Sequence, residues 1–543
     1  MIKIDRLVIL NYKKFANFEI EFHEGLNIIV GNNDEGKSTI LEAVNLALTG
    51  TLNGRVIKNE ISENIFNVDI VKKYIEALKT TPIDLPNILI ELYLSGDGID
   101  ELKGNNNSKR VDTSGISFKI QFDENYKKEY ESFIKTTPKS LPVEYYKVDW
   151  VSFARSSVTS RSIPLKAALI DSSTNRFQNG SDIYISRIIK ESLEEDELIS
   201  LAQSYRNLKD DFEQNELIKE INQKIADNGD ISNKKVSIAA DMSVKNSWEN
   251  ILTTCVDDIP FTQIGKGEQC IVKTNLALAH KKTQTANVVL MEEPENHLSH
   301  SNLNVLTHLI EKKCSDKQII ISTHSNFVAN KLGLDKIILL SNSKTFALSE
   351  LSKEDSAYFM ALPGYDTLRM ILSNKAILVE GPSDELIVQK AFQYKNNNKL
   401  PIEDGIDVIS VRGLSFKRFL RIAAIIKKKV AVVTDNDDDY DANIKEKYKE
   451  FDGCENILVA ASTSIRGEGQ RHLNTLEPQF MEVNDLDKCL KLFNLKKANY
   501  KDKDALIKYM EGNKTEWALK IFVSSEQFIV PKYIDEAIDW ILE

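Results

Sequence analysis

The ten residues VGNNDEGKST, at positions 30–39, decide the fold of the N-terminal half. Gly31 is followed by four residues and then by Gly36-Lys37-Ser38, which is the spacing of a phosphate-binding loop. The apolar run 26–30 before the loop predicts a buried strand, and residues 39–48 after it predict a helix. Backbone N–H groups in such a loop and the positive end of the helix dipole attract phosphate. The stretch therefore predicts a nucleotide site.

Two side chains of this loop have a defined role in the pattern. Lys37 would reach the β and γ phosphates, and Ser38 would ligate Mg²⁺. A Gly-Lys turn without a ligand has the same letters, but the strand and helix on either side favour the nucleotide site. The residues predicted to bind the cofactor ATP are Gly31, Asn32, Asn33, Gly36, Lys37, Ser38 and Thr39, together with Gly265 and Gly267 of the second motif described below.

Length and composition limit the class of protein. A chain of 543 residues is too long for one core and predicts two or three domains. The formal net charge of −11 argues against a general DNA coat, although local basic patches still permit contact with DNA. The five cysteines are scattered and form no CxxC pair, which predicts a reducing compartment without a disulfide frame or zinc site. With no signal peptide and no apolar run that could span a bilayer, we expect a cytoplasmic protein without a membrane partner.

Strands of alternating apolar and polar residues surround the phosphate loop. This alternation occurs at 1–10 and 15–22, and further strands are predicted at 87–94, 116–122 and 143–151. An antiparallel sheet beside a phosphate loop is similar to the ABC/SMC-type ATPase. The resemblance implies an α/β fold in which such a sheet packs beside the nucleotide core.

A second pair of glycines lies in IGKGEQ, at positions 264–269. Gly265 and Gly267 stand ahead of a helix predicted over 270–280, so they would form a second phosphate nest. In ABC-type ATPases this signature binds the γ-phosphate held by the other subunit. The serine of that family is replaced here by Ile264 or Gly265, depending on the alignment.

Two further apolar strands end in residues suited to nucleotide hydrolysis. The run NVVLMEEPE, at 287–295, ends in paired acids, which is the Walker B arrangement. Glu292 would hold the Mg²⁺, and Glu293 would orient and deprotonate the attacking water. Most ABC proteins have Asp at the first of these positions. The strand predicted at 318–322 precedes His324, which matches the switch histidine that contacts the γ-phosphate.

The C-terminal part predicts a second α/β sheet. Apolar strands at 375–379, 406–411 and 429–433 alternate with helices, the second of which is predicted at 416–426. Strand, helix, strand, helix and strand in this order predict a parallel sheet. Ligands bind such sheets at the carboxyl ends of the strands.

Acidic residues occupy those strand ends. Glu380 follows the first strand, and Asp435 and Asp437 follow the third, where in extended backbone both would point to one face. Clustered carboxylates are ligands for Mg²⁺ or Mn²⁺, and a pair of such ions would activate water for phosphodiester cleavage. A solvated acidic loop is the alternative, but Glu380 on a neighbouring strand argues against it.

Glu-Gly followed by Asp-x-Asp resembles a TOPRIM domain, and together with the upstream ATPase it resembles the OLD (overcoming lysogenization defect) family of nucleases. The resemblance implies that Asp384, in EGPSD, and Glu477, in NTLE, complete the metal ligands. It also implies that Lys514, in NKTEWA, assists the scissile phosphate. Basic residues near the acids are candidates for DNA contacts, namely Arg412, Lys417, Arg418, Arg421, Lys427, Lys428, Lys429, Arg466 and Arg471.

We therefore expect four segments: the N-terminal ATPase half at 1–160, a helical insertion for self-association at 161–250, the second ATPase half at 251–355, and a TOPRIM nuclease domain at 356–543. The predicted function is an ATP-binding, metal-dependent DNA endonuclease of the OLD type, acting as a homodimer or higher oligomer. Family members often serve in anti-phage defence, beside a helicase or a retron reverse transcriptase with its RNA–DNA product. The alternatives are an SMC/RecF-like DNA-binding or scaffold ATPase without nuclease activity and, third, a TOPRIM topoisomerase.

Overall fold

The computed structural model describes residues 1–78, 84–136, 139–171, 177–178, 181–182, 193–227, 238, 254–313, 316–341, 343–361, 365–411 and 415–543. Part of the predicted helical insertion, including residues 183–192 and 228–237, lies outside this set, as does Arg412. Within the described residues, no helix combines the length and the apolar character needed to cross a membrane.

The strands have the following bounds: β1 Lys3–Tyr12, β2 Phe15–Glu21, β3 Leu26–Gly31, β4 Thr51–Leu52, β5 Arg55–Val56, β6 Ile88–Ser95, β7 Lys103–Gly104, β8 Thr113–Phe122, β9 Tyr146–Ser152, β10 Ala167–Asp171, β11 Phe177–Gln178, β12 Ser181–Asp182, β13 Cys255–Val256, β14 Ile259–Pro260, β15 Val288–Glu292, β16 Gln318–Thr323, β17 Ile337–Ser341, β18 Lys344–Ala347, β19 Lys375–Val379, β20 Ile406–Ser410, β21 Lys429–Val433 and β22 Ile457–Ala460.

The α-helices have the following bounds: α1 Lys37–Thr49, α2 Val68–Ala77, α3 Lys127–Phe133, α4 Glu195–Gln214, α5 Glu216–Asp227, α6 Lys266–Ala279, α7 Lys281–Thr285, α8 His300–Lys313, α9 Asn326–Leu332, α10 Lys353–Ala361, α11 Tyr365–Leu372, α12 Pro382–Lys395, α13 Phe416–Ile425, α14 Leu476–Val483, α15 Leu486–Leu492, α16 Lys503–Gly512, α17 Lys514–Val523 and α18 Lys532–Leu542.

The chain forms two compact units, one of Met1–Leu26 with Ser38–Thr323 and one of Asn27–Lys37 with His324–Glu543. In the first unit an antiparallel sheet has the order β2-β1-β6-β8-β7, and β9 pairs with β8. Ile9 lies opposite Phe18 on one side and Ile90 on the other, and all three are buried. This sheet confirms the antiparallel strands predicted around the phosphate loop.

The first unit also contains the parallel strands β10, β15 and β16. Leu169 pairs with Leu290, and Leu290 pairs with Ile320, so the strands are in register through their apolar centres. Strand β10 lies within the segment predicted as a helical insertion. The helical pattern there is confined, among the described residues, to α4 and α5, and α4 has no buried residue.

In the second unit β3 pairs in parallel with β17, and β17 pairs antiparallel with β18. A separate four-stranded sheet has the order β20-β19-β21-β22 and is parallel throughout. Its first three strands confirm the predicted α/β sheet, and β19 and β21 have the predicted bounds. Each of these two strands consists of a lysine followed by four apolar residues, and polar residues lie on either side of the run. Strands that are covered on both faces of a sheet have such continuous apolar runs.

Candidate functional site

The phosphate loop needs its two glycines for different reasons. A Cβ on Gly31 would lie 2.6 Å from the carbonyl oxygen of Leu340 on β17, so only glycine allows this close pairing of backbones. Gly36 has a φ of 101° and Asp34 a φ of 63°, which turns the backbone of the loop before α1 begins. Local geometry thus agrees with a loop that presents N–H groups to an anion.

Lys37 and His324, two of the predicted ATP-contacting residues, come together. Lys37 is buried, and its Nζ donates to the carbonyl oxygens of Gly31 and Asn32 at 2.9 Å each. The same Nζ lies 3.5 Å from Nδ1 of His324. Asn32 extends the network because its Nδ2 donates to the carbonyl oxygen of Leu372, 3.2 Å away at the end of α11. Three other residues predicted to bind ATP lie in the loop or at the start of α1. Asn33 and Ser38 are exposed, and Thr39 is half-buried.

The predicted signature has a different local structure from the one expected. Helix α6 begins at Lys266, four residues before the predicted start at 270, with Gly265 as its N-cap. A Cβ on Gly267 would lie 2.6 Å from the carbonyl oxygen of His297, whereas none of the surrounding atoms lies within 4 Å of a Cβ on Gly265. The prediction of the helix start was wrong because glycine weakens but does not forbid a first helical turn. Gly267 serves close packing against the loop after β15, and Gly265 stands at the free helix end.

The paired acids lie where strand β15 ends. Glu292 is its last residue, and Glu293 follows with a φ of 40°. The Glu293 N–H donates to the carbonyl oxygen of Ser322 at 2.9 Å, and its Oε2 accepts from Nδ2 of Asn296 at 3.0 Å. Asn296 is a contact that sequence reasoning missed, although its place three residues after the acid in a turn is a local signal. It fixes the side chain that we predicted to orient water.

The acids of the second sheet are joined across neighbouring strands. Val379 and Val433 are paired in register at the ends of β19 and β21, so Glu380 and Thr434 leave the sheet side by side. Oε1 of Glu380 accepts from Thr434 Oγ1 at 2.6 Å and from the Asp435 N–H at 3.0 Å. Glu380 is therefore held in place by the side chain of Thr434 and by the backbone of Asp435.

We expected Asp435 and Asp437 to point to one face because an extended backbone was assumed after β21. The backbone there is not extended, so this assumption was wrong. The strand ends at Val433, and Asp437 has a φ of 45°. Asn436, between the two acids, is buried, and its Nδ2 donates to three carbonyl oxygens, those of Ser462 at 2.9 Å, Ser464 at 3.2 Å and Leu473 at 3.1 Å. The amide anchors a turn that a spacing rule for strands could not predict.

The five predicted metal ligands nevertheless share one electrostatic neighbourhood. Burial and, to a smaller extent, the charges of Glu380, Asp384, Glu477 and Asp437 together raise the pKa of Asp435 to about 9. Burial raises the pKa of Asp384 to about 7, with contributions from Glu380 and Glu477. Glu477 is buried in the first turn of α14, where Thr475 Oγ1 donates to its Oε2 at 3.1 Å.

This donor set fits a hard divalent cation. Its members are carboxylates, and every charged side chain that acts on Asp384 and Asp435 is another acid. Within the described ranges, however, no group of three or more Asp, Glu, His or Cys side chains is placed so that it could hold a metal ion. The acids that would hold the cation at the predicted site are Glu380, Asp384, Asp435, Asp437 and Glu477.

The basic residues predicted to contact DNA or the scissile phosphate differ in their exposure and in their partners. Lys514 is exposed at the start of α17 and, among the described residues, has no ion-pair or hydrogen-bond partner, the acids included. Arg418 and Arg421 instead pair with the buried carboxylate of Asp355 at 3.0 and 2.9 Å. Arg471 pairs with Asp504 at 2.6 Å. These arginines are engaged within the protein, which weakens the case for them as DNA contacts.

A phosphate loop with a Walker B strand, followed by a parallel sheet with clustered acids, defines an ATPase fused to a TOPRIM-type domain. The chain belongs to the AAA ATPase domain family, whose model matches residues 2–329. The model of the TOPRIM domain of overcoming lysogenization defect-like proteins matches residues 371–437. Both matches confirm the predicted resemblance to the OLD family, and they support an ATPase with a nuclease-type domain.

Similarity to individual proteins is local. A stretch of 45 residues, 8% of this chain, is 51% identical to the DNA double-strand break repair Rad50 ATPase of Methanopyrus kandleri and covers 5% of it. A stretch of 66 residues, 12% of this chain, is 38% identical to the DNA replication and repair protein RecF of Actinobacillus succinogenes and covers 17% of it. The chain thus spans less than a fifth of either curated relative.

Among solved structures, a head domain of an SMC protein bound to the C-terminal winged-helix domain of ScpA matches 64% of this chain and 99% of its own, at 15% identity and a TM-score of 0.33. The C-terminal region of the OLD protein of Xanthomonas campestris pv. campestris matches 32% of this chain and 94% of its own, at 20% identity and a TM-score of 0.25. Both TM-scores are low, so the assignment of the chain to its family rests on the two family models.

Proposed function

We propose that the protein is an ATP-hydrolysing, divalent-metal-dependent DNA endonuclease of the OLD type. One observation carries the proposal: Glu380 and Asp435 follow paired strands of a parallel sheet, and Asp384 and Asp435 have pKa values raised to about 7 and about 9 by burial and by the charges of the other predicted acids. Such mutual repulsion costs free energy, which a divalent cation would remove. We expect Mg²⁺ or Mn²⁺ to be that cation.

The acids of the second sheet would hold the cation, and the bound ion would supply an activated water and stabilise the leaving oxygen of a phosphodiester. Glu380 is oriented for this by Thr434 and by the Asp435 N–H, and the Asn436 amide fixes the turn that carries Asp435 and Asp437. Binding a cation would displace the protons that the raised pKa values retain on Asp384 and Asp435. Lys514 remains a proposed partner of the scissile phosphate, and its exposed side chain would contact that phosphate at the protein surface.

In the ATPase part, Lys37 and His324 would contact the terminal phosphates of ATP, Ser38 and Glu292 would hold Mg²⁺, and Glu293 would orient water. Gly265 and Gly267 would contact the nucleotide of a second copy, so the proposal includes a homodimer or higher oligomer. Anti-phage defence, beside a helicase or a reverse transcriptase with its RNA–DNA, is the setting that the family resemblance supports.

A nicking assay on supercoiled plasmid, with Mg²⁺ or Mn²⁺ titrated, tests the proposal. We expect Glu380→Gln and Asp435→Asn to lose cleavage by about 10²-fold or more while they still bind ATP, because each removes one carboxylate ligand from the proposed metal site. The matched control is Lys37→Ala, which should lose ATP binding and retain Mn²⁺ binding at the second sheet. Cleavage at wild-type rate in both acid variants would overturn this assignment of the acids, and absence of metal-dependent cleavage by the unaltered protein would leave the SMC/RecF-like scaffold as the better function.

A further inference from the structure

Tyr448 has a hydroxyl group that the fold buries without using it. The residue is 4% exposed, and its Oη has no hydrogen-bond partner among the residues that the structure describes. An unsatisfied buried hydroxyl lowers the stability of the folded protein. A phenylalanine would fill the same space without that cost, so the hydroxyl needs an explanation outside packing.

The charged groups that act electrostatically on this hydroxyl are acids of the candidate metal site. Burial raises the pKa of Tyr448, and the carboxylates of Glu380 and Asp437 raise it further. The hydroxyl therefore keeps its proton and can only be a neutral donor beside two negatively charged acceptors. Neither carboxylate accepts a hydrogen bond from it.

The segment that carries Tyr448 is fixed to the acidic turn. Residues Asp441–Glu446 form a π-helix, a rare geometry that is frequent at functional sites. Asn443 within it donates from Nδ2 to the carbonyl oxygen of Asn436 at 3.2 Å and of Asp437 at 3.4 Å. One added residue rotates the following side chains by about 100° relative to an α-helix. The π-helix lies just before Tyr448 and is hydrogen-bonded to the turn that carries Asp437.

We propose that Tyr448 is a positioning residue of the metal site, whose Oη donates a hydrogen bond to a water molecule bound to the cation held by Glu380 and Asp437. A small ligand is required because the hydroxyl is too deeply buried to meet nucleic acid. The oxygen of a water bound to the cation would accept the hydrogen bond that the hydroxyl donates, and the two carboxylates would accept hydrogen bonds from that water. The inference rests on the proposed function, since it assumes that the acids bind a divalent cation.

The test compares Tyr448→Phe with the unaltered full-length protein in two measurements that need no DNA. Free Mn²⁺, followed by its paramagnetic resonance signal, should show about 10- to 100-fold weaker binding, which is the usual effect of losing an outer-sphere hydrogen bond at a metal site. Without metal, the unfolding temperature should stay equal or rise, because an unsatisfied hydroxyl has been removed. A residue with a merely structural role would lower the unfolding temperature and leave Mn²⁺ affinity unchanged.

Tyr146→Phe is the matched control. The Tyr146 hydroxyl is also buried, but it donates to the carbonyl oxygen of Pro86 at 2.7 Å. Its loss should lower the unfolding temperature without changing Mn²⁺ binding. If Tyr448→Phe binds Mn²⁺ like the unaltered protein while Asp435→Asn does not, the inference about Tyr448 is wrong and the metal site stands. If the unaltered protein binds no Mn²⁺, both the inference and the proposed function fail.

Discussion

Thr434 Oγ1 donates a hydrogen bond of 2.6 Å to Glu380 Oε1, and this bond joins the ends of β19 and β21. The threonine is buried, so the carboxylate is held from the protein side while its second oxygen is available. In metal sites the groups that orient a ligand matter nearly as much as the ligand itself. Thr434 is therefore a residue whose importance the acids alone do not reveal.

Replacing Thr434 with valine should weaken metal binding. Valine has nearly the same shape but lacks the hydroxyl, so Glu380 would lose one of the two donors that orient it. We expect about 10- to 100-fold weaker Mn²⁺ binding, measured by titration of the full-length protein. Thr434→Ser, which keeps the hydroxyl, is the control and should stay within a few-fold of the unaltered protein. Equal Mn²⁺ affinity in the valine variant would show that the bond has no orienting role.

The raised pKa values predict an unusual dependence of stability on pH. The unfolded chain ionises its aspartates near pH 4, whereas in the folded protein the pKa is raised to about 7 for Asp384 and about 9 for Asp435. The folded state therefore binds more protons between these values, and the free energy of unfolding should fall as pH rises from about 4 to about 9. Denaturant unfolding in the absence of divalent metal, at several pH values across this range, measures the slope.

Asp435→Asn is the control for this pH effect, because an amide cannot titrate. The fall in the free energy of unfolding between pH 7 and pH 9 should become shallower in this variant. Mn²⁺ should stabilise the unaltered protein more at pH 8 than at pH 6, because fewer protons compete with the cation at the higher pH. An identical slope in the asparagine variant would contradict the raised pKa of Asp435.

Much of the second sheet could be predicted from sequence, because β19 and β21 are short apolar runs with polar residues at both ends. The short strand β22, Ile457–Ala460, was missed, since only its last residue is buried and four residues give little periodicity. The turn at Asp437 could not be predicted either. Its conformation depends on the Asn436 amide reaching carbonyl groups far along the chain, which no local pattern shows.

The candidate site residues also divide into those that a sequence pattern predicts and those that it does not. Glu380, Asp435 and Asp437 were found because strand ends in a parallel sheet converge, a rule that needs only the strand pattern. Thr434, Asn436 and Tyr448 were missed because a threonine, an asparagine and a tyrosine have no distinctive spacing. Their roles come from burial and from partners that only the folded chain brings near.

For the ATPase part, Glu293→Gln should separate nucleotide binding from hydrolysis. The glutamine keeps the shape and the contact with Asn296 but cannot accept a proton from water. We expect ATP hydrolysis to fall by about 10²- to 10⁴-fold, the usual contribution of a general base. Binding of a fluorescent ATP analogue should remain measurable in this variant, whereas Lys37→Ala should lose it. A variant that hydrolyses ATP at the normal rate would exclude Glu293 as the base.

The arginines near the acid site predict a stability effect. Asp355 is buried and forms ion pairs with both Arg418 and Arg421, which lie on α13 while Asp355 lies on α10. Asp355→Ala should lower the free energy of unfolding by about 1–3 kcal/mol, at the lower end because both arginines are partly exposed and water can replace the lost partner. If the arginines are structural, Arg421→Gln should also destabilise the protein and leave its affinity for DNA within about two-fold at fixed salt, since one phosphate contact is worth more than this. A large loss of DNA affinity in Arg421→Gln, with stability unchanged, would return that arginine to the proposed DNA-contacting surface.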